Sequence, residues 1–176
     1  MFEGLKKKIA HFIIQKKYLS KNGGEFSFNG VISNAKDLFF VMPKDDKDFF
    51  SSLEILKYYQ IHKKVITLFL PEHKYSLVPE KEKFIFFPYH LNQITKLNLP
   101  DKNLIGSLNQ KEFDVVVDLN RPEDVFFSAI ANVVKSKIRV SFEKEYSGQY
   151  YNMQIADKNT DPEVAYRSFL NYLRMF

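Results

Sequence analysis

Three apolar runs limit the folds open to this chain more than any other feature: "LFFVM" over Leu38–Met42, "VITLFL" over Val65–Leu70 and "FDVVVD" over Phe113–Asp118. Each is too short for a buried helix, and none alternates apolar with polar residues. That is the pattern of strands covered on both faces by helices. Similar but weaker runs occur at Phe84–Phe87, Ile138–Phe142 and Tyr151–Ile155. Helical spacing appears between them: Phe49, Phe50, Leu53, Leu56 and Tyr59 form one face, Val125, Ala129, Ile130 and Val133 another, and Val164–Leu173 a third. Strand and helix in alternation specify a parallel, doubly wound sheet with right-handed crossovers. The expectation is an α/β, Rossmann-like three-layer domain with a mainly parallel sheet. Its first strand is central and its strand order is about 3-2-1-4-5. The segment "PEHKYSLVPEKEK", bracketed by Pro71 and Pro79, reads as a crossover with one helical turn.

A chain of 176 residues fits one such domain. Eighteen Phe and no Trp or Cys make a Phe-based core and exclude disulfides, thiolate metal sites and cysteine nucleophiles. No apolar run reaches the roughly 18 residues of a membrane span, and lysines interrupt every apolar run near the start. A cytoplasmic protein is expected, with a peripheral place on the inner membrane open through the N-terminal segment.

That segment carries the charge. Residues 1 to 21 hold six lysines (Lys6, Lys7, Lys8, Lys16, Lys17 and Lys21) against Glu3 alone, which accounts for the whole net charge of +5. The neutral remainder argues against a nucleic-acid-binding body, which needs its basic excess on the folded surface. Phe2, Leu5, Ile9, Phe12, Ile13 and Leu19 share one helical face, with Lys16 inside the stripe. Residues 1–22 are therefore expected to form a basic amphipathic helix and 23–176 the Rossmann-like domain. The stripe can dock on the body or a second copy, with the lysine face turned to anionic lipid or a protein partner. Lys21-Asn22-Gly23-Gly24 should end the helix, and "EFSFNGVIS" reads as a short strand or a hairpin pivoting on Asn29-Gly30.

In a doubly wound sheet, ligands bind beyond the carboxyl ends of the strands, where the strand order reverses. The loops "PKDDKD" and "DLNRPED" both fall there. Asp45 and Asp46 are expected to be exposed and to cap the following helix, with Asp48 in its first turn pointing into the crevice near Asp118. Three acids and no glycine make a poor phosphate cradle. No metal site is expected, because no further ligand clusters with the aspartates and His11, His62, His73 and His90 are scattered. Neither GxSxG nor GxGxxG occurs, and no cofactor is expected.

The stretch "FFVMPKDDKDFFSSLEILKYY" resembles the opening of the ADP-heptose:lipopolysaccharide heptosyltransferases, in which a first strand enters a P-x-x-x-G-D loop and a helix of the type V-L-x-T-L-P-x-L. Pro43 and Asp48 match in register, Ser52 takes the small hydroxyl position, and Leu53 and Leu56 match the leucines. "FDVVVDLN" resembles that family's Y-D-L-V-I-D-L-Q strand, "SAIANVVKSKIRVSF" its next helix and strand, and "PEVAYRSFLNYL" the helix before its inter-domain linker. The likeness runs in order over Leu38–Phe142. It implies the acceptor-side half of a GT-B glycosyltransferase, with Asp48 as general base and a crevice lined by Lys44, Asp45, Lys47, Ser52, Asp118, Asn120 and Arg121. Lys47 stands where the family has glycine and Glu54 where it has proline. The donor-binding half would follow Phe176. The chain also resembles short bacterial proteins of this layout, a likeness that brings a fold without an activity. Two functions follow as expectations: a non-catalytic glycosyltransferase-like interaction or scaffold domain, or the acceptor half of a split transferase whose donor site lies on a partner subunit.

Overall fold

Aspartate starts four of the helices, because its short carboxylate can accept the backbone N–H groups that a first turn leaves free. Asp45 does this for Lys47 and Asp48, Asp101 for Leu104, Asp124 for Phe126, and Asp161 for Glu163 just behind Pro162. In chain order the elements of the computed structural model, which describes residues 2–19 and 28–176, are α1 (Phe2–Lys17), a single turn α2 (Val31–Asn34), β1 (Asp37–Val41), α3 (Asp46–Ile61), β2 (Val65–Pro71), β3 (Ile85–Tyr89), α4 (Lys102–Leu108), β4 (Val115–Asp118), α5 (Val125–Val133), β5 (Ile138–Phe142), α6 (Ser147–Tyr150), β6 (Met153–Ile155) and α7 (Pro162–Leu173).

The six strands form one sheet in the order β3-β2-β1-β4-β5-β6, and every neighbouring pair is parallel. This is the expected Rossmann-like α/β fold. The order extends the expected one by β6, whose Val140↔Met153 and Phe142↔Ile155 register adds a short strand beyond β5. The crossover from β2 to β3 holds two 3-10 segments, Glu72–Leu77 and Lys81–Lys83, where one turn was expected. Pro79 stands between them.

Alternate residues of the central strands feed two separate cores, as the period-two geometry of a strand requires. Leu38, Phe40, Leu68, Val115, Val117 and Val140 face Phe49, Leu56 and Tyr59 of α3 and Tyr166 and Phe169 of α7. Phe39, Val41, Phe69 and Val116 face Phe126 and Ile130 of α5, Leu104 of α4 and Tyr150 of α6. Sandwiched between helices, β1 and β4 are almost wholly buried.

Two expectations change at the start of the chain. Asn29 and Gly30 do form a turn, with Gly30 at φ 68°, but it leads into helix α2 and not into a strand. A side chain at Gly30 would be strained by that left-handed φ and would meet Asn34 Nδ2 at 2.9 Å. The part of the expected "EFSFNGVIS" strand or hairpin before Phe28, and the expected glycine cap at Gly23-Gly24, lie outside the described residues. The second change concerns α1. It docks against α5 through the buried Ala10 and Ile14 and meets Tyr146 and Tyr150 through the buried His11, while Leu5, Ile9 and Phe12 stay exposed. Ala10 and Ile14 fit the docked face because a small residue and a branched one let the helices approach. Of the expected stripe, Ile13 and Leu19 are half-buried against the α5-side core, whereas Leu5, Ile9 and Phe12 lie on the opposite side.

Candidate functional site

Because β1 and β4 are parallel neighbours, with Val41 opposite Asp118, their outgoing loops leave the sheet side by side. Asn120 joins the two loops. Its side-chain amide donates to Asp118 Oδ1 at 2.8 Å and to the Met42 carbonyl at 3.3 Å, and its Oδ1 accepts the Lys44 backbone N–H at 3.0 Å. The loop after β1 is thereby held to the loop after β4 by one side chain with donor and acceptor ends.

Within the first loop the three aspartates have separate tasks. Asp45 is the N-cap of α3: Oδ1 accepts the N–H of Lys47 at 2.9 Å and of Asp48 at 3.1 Å. Exposed Asp46 receives Lys74 Nζ at 2.9 Å, and that ammonium, through its hydrogen bond and its charge, draws the Asp46 carboxyl below its ordinary range. Asp48 is buried, its Oδ1 accepts the Nε–H of Arg121 at 2.9 Å, and Nη2 lies 2.8 Å from the same oxygen. Burial works against the Arg121 cation, but the hydrogen bond and charge of Asp48 outweigh it and raise the guanidinium's affinity for its proton. Nη1 of Arg121 reaches on to the Asn159 and Thr160 carbonyls ahead of α7. Capping therefore belongs to Asp45, and Asp48 is the anion of an ion pair that ties three segments together.

Asp118 sits at the end of β4, fully buried. Its Oδ2 accepts Lys144 Nζ at 2.6 Å and the Tyr151 hydroxyl at 2.6 Å, while Oδ1 receives Asn120. Lys144 is itself buried, so this is a charge pair removed from water and completed by hydrogen bonds, the arrangement that a buried pair requires. Burial first, and the neighbouring Asp118 charge second, push the Tyr151 phenol well above its ordinary range, so it serves as a neutral donor. Nearby Glu123 is raised as well, chiefly by burial, with one oxygen on Ser128 and the other buried without a partner.

Asp48, Asp118, Asn120 and Arg121 thus come together at the two loops, along with the exposed Lys44 and Asp45. Lys47 is exposed on the first turn of α3. Ser52 does not join them: it is fully buried and its hydroxyl donates to the Phe49 carbonyl of its own helix at 2.7 Å. Three residues that sequence reasoning passed over complete the set. Lys74 is buried in the β2–β3 crossover, donates to the Lys44 carbonyl at 2.6 Å and lies 4.7 Å from the Phe49 ring centre. Lys144 and Tyr151 come from the flanks of β5 and β6. A lysine in "PEHKYSL" or "FEKEY" reads as solvated, and only the fold brings a carboxylate to it.

On the N-terminal segment, Lys7 bridges to Glu145 at 2.8 Å and Lys6 to Glu3 at 3.3 Å, whereas Lys8, Lys16 and Lys17 are exposed. No described helix is long and apolar enough to cross a membrane.

No protein-family model and no curated protein sequence matches the chain. Among solved structures it is similar to the E. coli heptosyltransferase WaaC with ADP-2-deoxy-2-fluoro heptose, at a TM-score of 0.59 and 14% identity over 79% of this chain. The match covers 49% of the WaaC chain, so this chain corresponds to about half of that protein's length. At that identity the likeness is one of fold.

Proposed function

We propose that the chain is a non-catalytic glycosyltransferase-like domain that works by binding a protein partner or a second copy. One observation supports this above the others: Asp48, which the sequence resemblance sets at the position of the heptosyltransferase base, is buried against Arg121. A general base must accept a proton from a substrate hydroxyl within hydrogen-bond reach. Protonating Asp48 would strip Arg121 of its counter-ion and loosen its hold on the segment before α7. Around it, Lys74 and Asn120 occupy the backbone groups of the loop with contacts from the protein itself, and Lys47 replaces the glycine that would allow close approach to the backbone.

The second reading, an acceptor-binding half that joins a donor-binding half on another subunit, draws on the fold likeness to WaaC, which extends over about half of that chain. Sugar transfer from ADP-sugars by the purified chain, alone and with a candidate partner subunit, separates the two. No transfer, and no heat of ADP-sugar binding by calorimetry, is expected. Micromolar ADP-sugar affinity, or a transfer activity abolished by Asp48→Asn with stability retained, would overturn the non-catalytic reading.

A further inference from the structure

Helix α1 has two apolar faces, and the body uses only one. Ala10, His11 and Ile14 are turned onto the body, and about 180° away, at 100° per residue, stand Leu5, Ile9 and Phe12. These are 57%, 42% and 59% exposed. Their spacing of i, i+4 and i+7 makes a continuous ridge roughly 10 Å long on the outer surface. Lysines border the ridge: Lys8 on one flank, Lys6 on the other with Lys17 farther round toward the docked side, and Lys16 at its end with Nζ 5.9 Å from the Phe12 ring centre. Among the described residues no carboxylate lies within ion-pair distance of Lys8, Lys16 or Lys17, and the helix carries a single acid, Glu3.

From this geometry we infer that the outer face of α1 docks on an anionic lipid bilayer. The ridge enters the headgroup boundary, and the lysine stems extend along it and carry their ammonium groups up to lipid phosphates. A second copy is a poorer occupant, since a two-fold contact through this face sets Lys8, Lys16 and Lys17 of one chain against those of the other. The neutral remainder of the chain leaves the positive field concentrated on this helix, which orients the domain with α1 toward the membrane. The inference names a partner for α1 alone, so it and the binding-domain reading of the loops can fail separately.

Flotation of the full chain with vesicles of phosphatidylcholine, and with vesicles containing one third phosphatidylglycerol, tests it. Recovery several-fold higher on the anionic vesicles is expected at low salt, falling as ionic strength screens the lysines. The variant Leu5→Ser/Ile9→Ser/Phe12→Ser should lose flotation, and Lys8→Gln/Lys16→Gln/Lys17→Gln should weaken it. Both keep the wild-type melting curve, because all six side chains are exposed. Since the chain has no tryptophan, Phe12→Trp supplies a clean reporter whose emission should shift to the blue on anionic vesicles only. Equal recovery on both vesicle types, recovery on neither, or wild-type flotation of the serine variant would overturn the proposal. So would a lipid-free dimer that the serine variant converts to monomer, which would give the face to a second copy.

Discussion

Arg121 holds Asp48 through a single carboxylate oxygen, with Nε at 2.9 Å and Nη2 at 2.8 Å, and spends its remaining nitrogen on two carbonyls ahead of α7. The loop after β1, the loop after β4 and the approach to the last helix therefore share one guanidinium. In a doubly wound sheet these segments are free to carry a ligand. Here the charges of Asp48 and Arg121 are matched to each other.

Replacing Asp48 by Asn keeps the shape and removes the charge. The expected cost is about 1–3 kcal/mol, the range for a hydrogen bond to a charged group, kept below that of a fully buried pair because Arg121 retains some contact with water. Asp45→Ala, which deletes only the cap, should cost about 1 kcal/mol. Urea denaturation of the two variants checks the order; a smaller loss for Asp48→Asn than for Asp45→Ala would mean that the pair contributes little.

The Asp118–Lys144 pair calls for a double-mutant cycle. Lys144→Met alone leaves a buried carboxylate with only neutral donors and should destabilise by about 3–5 kcal/mol. Adding Asp118→Asn removes the stranded charge, so the double variant should recover a good part of that loss. Additive losses in chemical denaturation would show that the two groups are not coupled.

How much of this was legible beforehand depends on what each residue type announces. "FFVM" and "VVVD" announced buried central strands because nothing polar interrupts them, and the parallel order followed from the helices between them. Asp45 announced a cap by standing just ahead of an apolar helical pattern. The faces of α1 were ambiguous, since Leu5, Ile9 and Phe12 outweigh Ala10 on any hydrophobicity scale while the body selects the side that fits closest. Lys74 and Lys144 gave no signal: a lysine is buried only where a distant carboxylate or carbonyl meets it, and that meeting is a product of the fold. The sequence sets Asp48 in the first turn of its helix, but nothing in it points to Arg121, 73 residues away, as its partner.

His11 makes the docking of α1 sensitive to pH. It is buried with its ring 4.0 Å from that of Tyr146, its Nδ1 on the Tyr150 hydroxyl, and its Nε2 without a partner among the described residues. Burial, and then the charge of Lys7, lower its pKa from the usual 6.5, with Glu145 opposing. The folded protein thus binds this proton less readily than the unfolded chain does. The contribution is fully present above about pH 6.5 and is lost as pH falls from there through the folded-state pKa. The raised Glu123 has the opposite sign, gaining stability as pH falls toward its ordinary range, so the comparison must be between variants. Melting temperature followed from pH 7.5 to 5.5 should fall more for the wild type than for His11→Gln; parallel curves would show that His11 is not the group responsible.

The same helix offers a test in which residue type is held constant. Ile14 is wholly buried among Ala10, Phe126 and the other residues of the α5-side core, whereas Ile9, five positions earlier, is 42% exposed. Truncating a buried isoleucine costs the transfer of its methyl groups and leaves a cavity that the neighbours fill only in part, about 2–5 kcal/mol for Ile→Ala. At an exposed site the same change stays within about 0.5 kcal/mol. Ile14→Ala should therefore lower the midpoint of urea unfolding and speed hydrogen exchange along α1, while Ile9→Ala leaves both near wild type. Were Ile9→Ala the more damaging of the two, the helix would be docked through the opposite face, and the apolar ridge assigned to the bilayer would belong to the core.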